Sequence, residues 1–189
     1  MASTNVAASA NGGYIVSASP TFHNDAATFN EALVIDGETR TFAWGQDATG
    51  GGWNSVGDAP ADFIIGFAAE SLIDRVGVVS LRDDYTTTAF SEKNVTTWSL
   101  YGLFDFKILA LNAALQAYQL VATVTNNTFV WREVTFSPVQ TSSIWIQMTR
   151  AGGGYCRLAE VQAWTVDANA TGLVIPGRRT NRIPLALFN

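Results

Sequence analysis

The chain has 189 residues, 48% hydrophobic and 14% charged, a balance that excludes a disordered chain and leaves a globular one with room for a well-buried core. Its net charge is −5 and its one basic cluster is Arg178, Arg179 and Arg182, so nucleic-acid binding, which needs a basic patch for the phosphates, is not expected. A single cysteine, Cys156, excludes a disulfide within the chain, and a single histidine, His23, excludes metal sites rich in Cys or His.

Residues 1–30 are rich in Ala, Ser, Asn and Gly without helical periodicity, which predicts an extended lead-in with a first strand near Tyr14–Ser17. Residues 31–36 run into Gly37, a turn signal. Residues 45–58 read as a long glycine-rich loop, with Trp44 just before it and Trp53 within it. Strands are then predicted at Asp62–Phe67, Leu72–Leu81, Trp98–Tyr101, Phe104–Leu109, Tyr118–Val124, Val130–Phe136, Ile144–Thr149 and Leu158–Thr165. In one of them Ile144, Ile146 and Met148 alternate with Trp145, Gln147 and Thr149, the period of two of a half-buried strand. Turns are placed at Gly102, at Asn126 and Asn127, at Pro138 and at Gly152–Gly154, and only Asn112–Gln116 has helical character.

Many short strands between turns, with six Trp, five Tyr and eleven Phe, predict an all-β sandwich or barrel. The domain is expected to span 1–165. Residues 166–189 are expected to form an extended C-terminal arm. Its Leu173, Val174, Ile175, Ile183, Leu185, Leu187 and Phe188 need an apolar surface, on this domain or on a neighbouring subunit of a homo-oligomer or larger assembly. No apolar run approaches the ~20 residues of a membrane span, and the first residues lack the basic and apolar regions of a signal peptide.

Several stretches, in order, resemble the discoidin family (coagulation factor 5/8 type C, galactose-binding-like domains). Asn5-Val6-Ala7 resembles its opening. Ala32-Leu33-Val34-Ile35-Asp36-Gly37 with Thr41-Phe42 resembles its Asp-Gly bend followed by Thr-Trp, with Phe42 in the Trp place. Asp62-Phe63-Ile64-Ile65, Ile73-Asp74-Arg75-Val76-Gly77-Val78 and Trp131–Phe136 resemble core strands, and Arg157-Leu158-Ala159-Glu160-Val161 resembles the closing strand. The resemblance spans roughly residues 5–164 and implies a jelly-roll β-sandwich with ligand loops gathered at one end.

It also implies two sites. The first is a structural Ca²⁺ between the Asp-Gly bend and the closing Glu, with carboxylates from Asp36 and Glu160, the hydroxyl or carbonyl of Thr41, and carbonyls of Leu33, Glu38 and Ala159, an oxygen set that suits Ca²⁺. The alternative is that Asp36 caps its own turn while Glu160 pairs with Arg40 or Arg157. The second is a carbohydrate site. Arg82 and Asp84 fall on the pattern by which sugar-binding relatives place an Arg after the third core strand, with Leu81 in the place of their Asn. Trp44, Trp53, Tyr85 and Tyr155 flank it as stacking surfaces for a sugar's C–H face. Against this stand a local Arg82–Asp84 salt bridge and tryptophans that plug the end of the sandwich. The family's adjacent cysteines and second Arg are absent, and His23 is not where fucose-binding relatives place their His.

Enzyme signatures are missing: no Gly-x-Ser-x-Gly elbow, no His-Glu-x-x-His and no phosphate-binding loop occur. The expected function is therefore non-catalytic recognition of glycans or cell-surface polysaccharide, outside the cell or on a cell or virion surface. The alternative is a structural or assembly role, such as a phage decoration, tail or capsid-associated protein.

Overall fold

The computed structural model describes residues 2–22, 29–39, 51–81, 91–98 and 100–167. Its strands are β1 (Tyr14–Ala18), β2 (Trp53–Asn54), β3 (Ala61–Val79), β4 (Leu103–Asn112), β5 (Ala117–Val124), β6 (Trp131–Ala151), β7 (Arg157–Leu158) and β8 (Glu160–Thr165). Two are long, β3 with 19 residues and β6 with 21, and they pair antiparallel along their lengths. The ladder breaks once at a corner. Gly66 lies opposite Ser143 and pairing resumes at Ser71 opposite Thr141, so residues 67–70 of β3 face a single residue of β6.

At that corner the β3–β6 pair folds over on itself. The first half of β3 and the second half of β6 form one layer with β1, β4 and β5, in the order β1-β3-β6-β4-β5. The other halves form a second layer with β8. The two layers share one core. Phe63, Ile65, Phe106, Ile108, Ile144, Ile146 and Met148 come from the larger layer, and Ile73, Val76, Val78, Val161 and Ala163 from the smaller. Burying each large side chain fully contributes about 1.5–3 kcal/mol, so this two-sided apolar alternation holds the sandwich together. The fold is the expected all-β sandwich.

Three local expectations are corrected. The turn expected at Pro138 is part of β6. Val139 lies opposite Ile73 and Thr135 opposite Arg75, so the strand bulges there and Pro138, which has no N–H, sits where the ladder needs none. Asn112–Gln116 is the β4–β5 hairpin turn rather than a helix. The Asn112 side-chain oxygen accepts from the Ala114 and Leu115 N–H groups (3.0 and 3.1 Å), and Gln116 takes a positive φ of 50°. The described residues of Trp98–Tyr101, which are Trp98, Leu100 and Tyr101, are not in a strand, and Thr97 makes an isolated bridge to Phe129.

The N-terminal lead-in lies along β8 before entering β1. Asn5 bridges to Trp164, its side chain accepts from Ala163 N–H (2.9 Å), and Ala7 is fully buried. At the far end of β8, Val166 N–H donates to the Leu72 carbonyl (3.1 Å). Residues 168–189, with nearly all of the predicted arm, lie outside the described residues.

The register fixes where the loops go. Both ends of β3, both ends of β6, the end of β1, the start of β4, the end of β5 and the start of β8 lie at one end of the sandwich. Connections 19–60, 80–102, 125–130 and 152–159 therefore leave from and return to that loop end. Among the described residues, the corner end holds the β3–β6 fold-over, the β4–β5 turn, the Ser9–Gly13 turn that enters β1 beside Ala68, and the end of β8.

Candidate loop-end binding site

The Asp-Gly bend and the closing strand meet at the loop end. Glu160 opens β8 opposite Val79 and is fully buried. Its Oε2 accepts from Gly37 N–H (3.2 Å), while Oε1 has no partner among the described residues. Burial pushes the carboxyl up to about 9. The Gly37 N–H opposes that rise, and the negative charges of Asp36 and Glu38 add to it.

Asp36 follows the 3-10 turn Glu31–Ile35, and its Oδ1 accepts from Glu38 N–H (2.8 Å), so it does cap its own turn. Partial burial raises its pKa against the pull of that N–H. Glu160 is not paired with Arg157, whose Nη1 donates to the carbonyls of Gly152 and Tyr155 (both 3.1 Å). Leu33 is half-buried and Ala159 buried, with Ala159 N–H donating to Val79 O (2.8 Å). Arg40 and Thr41 lie outside the described residues.

Among the described residues no three Asp, Glu, His or Cys side chains converge as a metal cluster. What the site does hold is a buried carboxylate with one unpartnered oxygen beside the carboxylate of Asp36, a donor pair of the kind an oxygen-seeking cation takes.

The stacking residues divide. Trp53 is fully buried and packs edge-on against Phe63 (centroids 5.3 Å, 64°), so it is part of the core and offers no face to a sugar. The cause is local. β2 pairs with β7, and Gly52 runs so close to the Leu158 carbonyl that a Cβ would collide with it, which draws the loop down onto the core. Trp44, Arg82, Asp84 and Tyr85 lie outside the described residues. Leu81 and Ser91, on either side of 82–90, are both buried at the loop end.

Tyr155 is half-buried and belongs to a cluster that the sequence reading missed. Its ring meets Phe22 edge-on (5.1 Å, 80°), and Phe22 meets Phe29 (5.5 Å, 88°). The Arg157 guanidinium lies over the rings of Tyr101 (4.8 Å) and Tyr155 (5.4 Å). Arg157 was visible as the first residue of the closing Arg-Leu-Ala-Glu stretch, and Tyr101 as the residue before Gly102, but nothing in the sequence joined them.

Beside this cluster, Trp98 packs on Phe104 (4.4 Å), and Arg150 both caps the Phe104 ring and forms a two-pronged pair with Asp105 (2.7 and 3.0 Å). That hydrogen bond holds the Asp105 carboxyl below the usual range. Cys156 is fully buried and burial pushes its thiol up to about 12, which disqualifies it as a nucleophile.

No protein-family model matches the chain, and no curated protein matches it by sequence. Solved structures do match in fold. A family 32 carbohydrate-binding module from C. perfringens NanJ, in complex with galactose, superposes with a TM-score of 0.59 at 18% identity, over 86% of this chain and 99% of that one. The family 32 module of Streptococcus pneumoniae EndoD gives 0.63 at 12% identity, over 86% and 100%. A mutant of the lectin binding domain of Lectinolysin, complexed with Lewis b, gives 0.60 at 18% identity, over 87% and 97%. At these identities the likeness is one of fold: the chain shares the antiparallel β-sandwich fold of these modules.

Proposed function

We propose that this protein binds carbohydrate, without catalysis, through the loop end of its sandwich. The observation that carries the reading is the convergence of every long connection on one end that also holds the Phe22–Tyr155–Arg157–Tyr101 cluster. Aromatic rings fixed by an arginine suit a ligand with C–H faces and hydroxyl edges. The fold it shares with modules solved with galactose and with Lewis b supports the same reading. Arg82 and Asp84, with Trp44 and Tyr85, are proposed as polar and stacking partners on the connections that return to this end. Such a protein acts outside the cell or at a cell surface. The assembly alternative finds no support in these comparisons.

Ca²⁺ belongs to the same proposal. The carboxylates of Asp36 and Glu160, with Thr41 and the carbonyls of Leu33, Glu38 and Ala159, would hold it. When bound it supplies the positive charge that the buried Glu160 carboxylate lacks, and it ties the bend to the closing strand.

A glycan array with the wild type, Arg82→Ala and Tyr155→Ala tests the proposal. Binding of a galactose-containing or related glycan by the wild type, weakened in both variants, is expected. A wild type that binds no glycan on the array contradicts it.

A further inference from the structure

The part of the outer face of the five-stranded layer nearest the corner is apolar in a way that the loop-end site does not use. One cross-strand row runs Ile64, Trp145, Leu109, Leu120 over β3, β6, β4 and β5. The next row carries Tyr14 opposite Gly66 on one side and Leu111 opposite Tyr118 on the other. Tyr14 lies on Gly66 so closely that a Cβ there would collide with its ring. Tyr14, Val16 and Leu120 are 54%, 51% and 57% exposed. The polar tips of the two central rings are already satisfied within the face. Trp145 Nε1–H donates to Asp62 (2.8 Å), the Tyr118 hydroxyl is hydrogen-bonded to Ser143 (2.7 Å), and the rings meet edge-on at 5.6 Å. The apolar area lies in these two rows toward the corner, while the next row toward the loop end is polar, with Asp62, Gln147, Lys107 and Thr123 opposite one another; an apolar band beside a polar one suits a polypeptide with apolar runs and charges between them.

The chain itself provides a fitting one. Residues 168–189 contain two apolar runs, Leu173-Val174-Ile175 and Ile183 through Phe188, separated by Arg178, Arg179 and Arg182. That segment holds three of the 11 basic residues and none of the 16 acidic ones, so it carries +3 against −8 on residues 1–167. It starts beyond Asp167, from β8. β8 flanks β3 in the small layer on the side where β1 flanks β3 in the large one, and β1 carries Tyr14 and Val16. Reach is ample: about 3.3 Å per extended residue gives its 22 residues roughly 70 Å, against about 20 Å across five strands spaced ~4.8 Å apart. We infer that residues 173–188 lie across the outer face of the five-stranded layer of their own chain, with the apolar runs over Trp145, Leu109 and Leu120.

The test uses the full chain. Hydroxyl-radical footprinting is expected to show Tyr14, Trp145 and Leu120 protected in the wild type and oxidised severalfold faster in a Leu185→Asp, Leu187→Asp double variant whose circular dichroism is unchanged. In parallel, Phe188→p-benzoylphenylalanine in an otherwise wild-type chain is expected to cross-link to β4, β5 or β6 within the monomer. Cross-links to the same strands found only between two chains would overturn the inference in favour of a second copy as the occupant. Cross-links to other surfaces, or equal oxidation of wild type and double variant, would overturn it outright.

Discussion

The corner end and the loop end treat buried polar atoms in opposite ways. At the corner, Thr141 and Ser143 are buried, and their hydroxyls are used. Thr141 Oγ1–H donates to Ser143 O (2.7 Å) and accepts from Ser143 N–H (3.2 Å), and Ser143 Oγ–H donates to Ile65 O (2.8 Å). Among the described residues, eight buried side-chain polar atoms lack a partner, and seven of them sit at the loop end: Trp53 Nε1, Asn54 Oδ1, Ser91 Oγ, Trp98 Nε1, Trp131 Nε1, Arg132 Nε and Glu160 Oε1. Native structures leave few such atoms, because each costs about 1–3 kcal/mol. The corner thus satisfies its buried hydroxyls within the fold, whereas the loop end, where the binding site is proposed, leaves buried polar atoms without partners among the described residues.

Four changes would break or sharpen that contrast. The largest effect is expected from the core that both ends share. Ile146→Ala should destabilise the protein by about 2–5 kcal/mol, read as a lower urea midpoint at unchanged slope, with or without Ca²⁺. Next comes Ca²⁺ itself. At about 100 times its dissociation constant it should add about 2.7 kcal/mol, roughly 5–10 °C in melting temperature, over the same protein in EDTA. Glu160→Gln should abolish that gain, and identical melts of the wild type in Ca²⁺ and EDTA would remove the ion from the account.

A pair of serines compares the ends directly. Ser143→Ala at the corner should cost about 1–3 kcal/mol, whereas Ser91→Ala, which deletes a hydroxyl with no partner, should be neutral or slightly stabilising. Equal losses would erase the distinction. The smallest effect is that of the exposed Asp105–Arg150 pair. Because Asp105 is depressed by the Arg150 hydrogen bond, its contribution is present above the ordinary Asp range near 3.9 and is lost as pH falls through the lower folded value. Asp105→Asn should therefore cost a little at neutral pH, less at high salt, and nothing at the acid limit of the folded state.

The sequence carried the layers better than the connections. The alternation of Ile144, Ile146 and Met148 was legible because period two depends only on neighbouring residues. The continuity of β3 and β6 was not. Ala68, Ala69 and Glu70 at the corner and Pro138 at the bulge look like breaks until the register shows them absorbed by a fold-over and an unpaired position. The approach of Asp36 to Glu160 was legible only through the order of family-like stretches, since 124 positions separate them. Trp53 misled because a tryptophan in a glycine-rich loop looks exposed, whereas Gly52 lets that loop sink onto β7. The Arg157–Tyr101–Tyr155 cluster assembles two loops, and local pattern holds no information about which loops meet.

The most direct test of the loop end as the binding end is a ¹⁵N NMR titration of the full chain with galactose and with the Lewis b oligosaccharide. The account predicts that at least one shifts backbone amides of Phe22, Tyr101, Tyr155 and Arg157 while those of Thr141, Ser143 and the 113–116 turn stay in place. Shifts confined to the corner end, or none with either sugar at millimolar concentration, would contradict it.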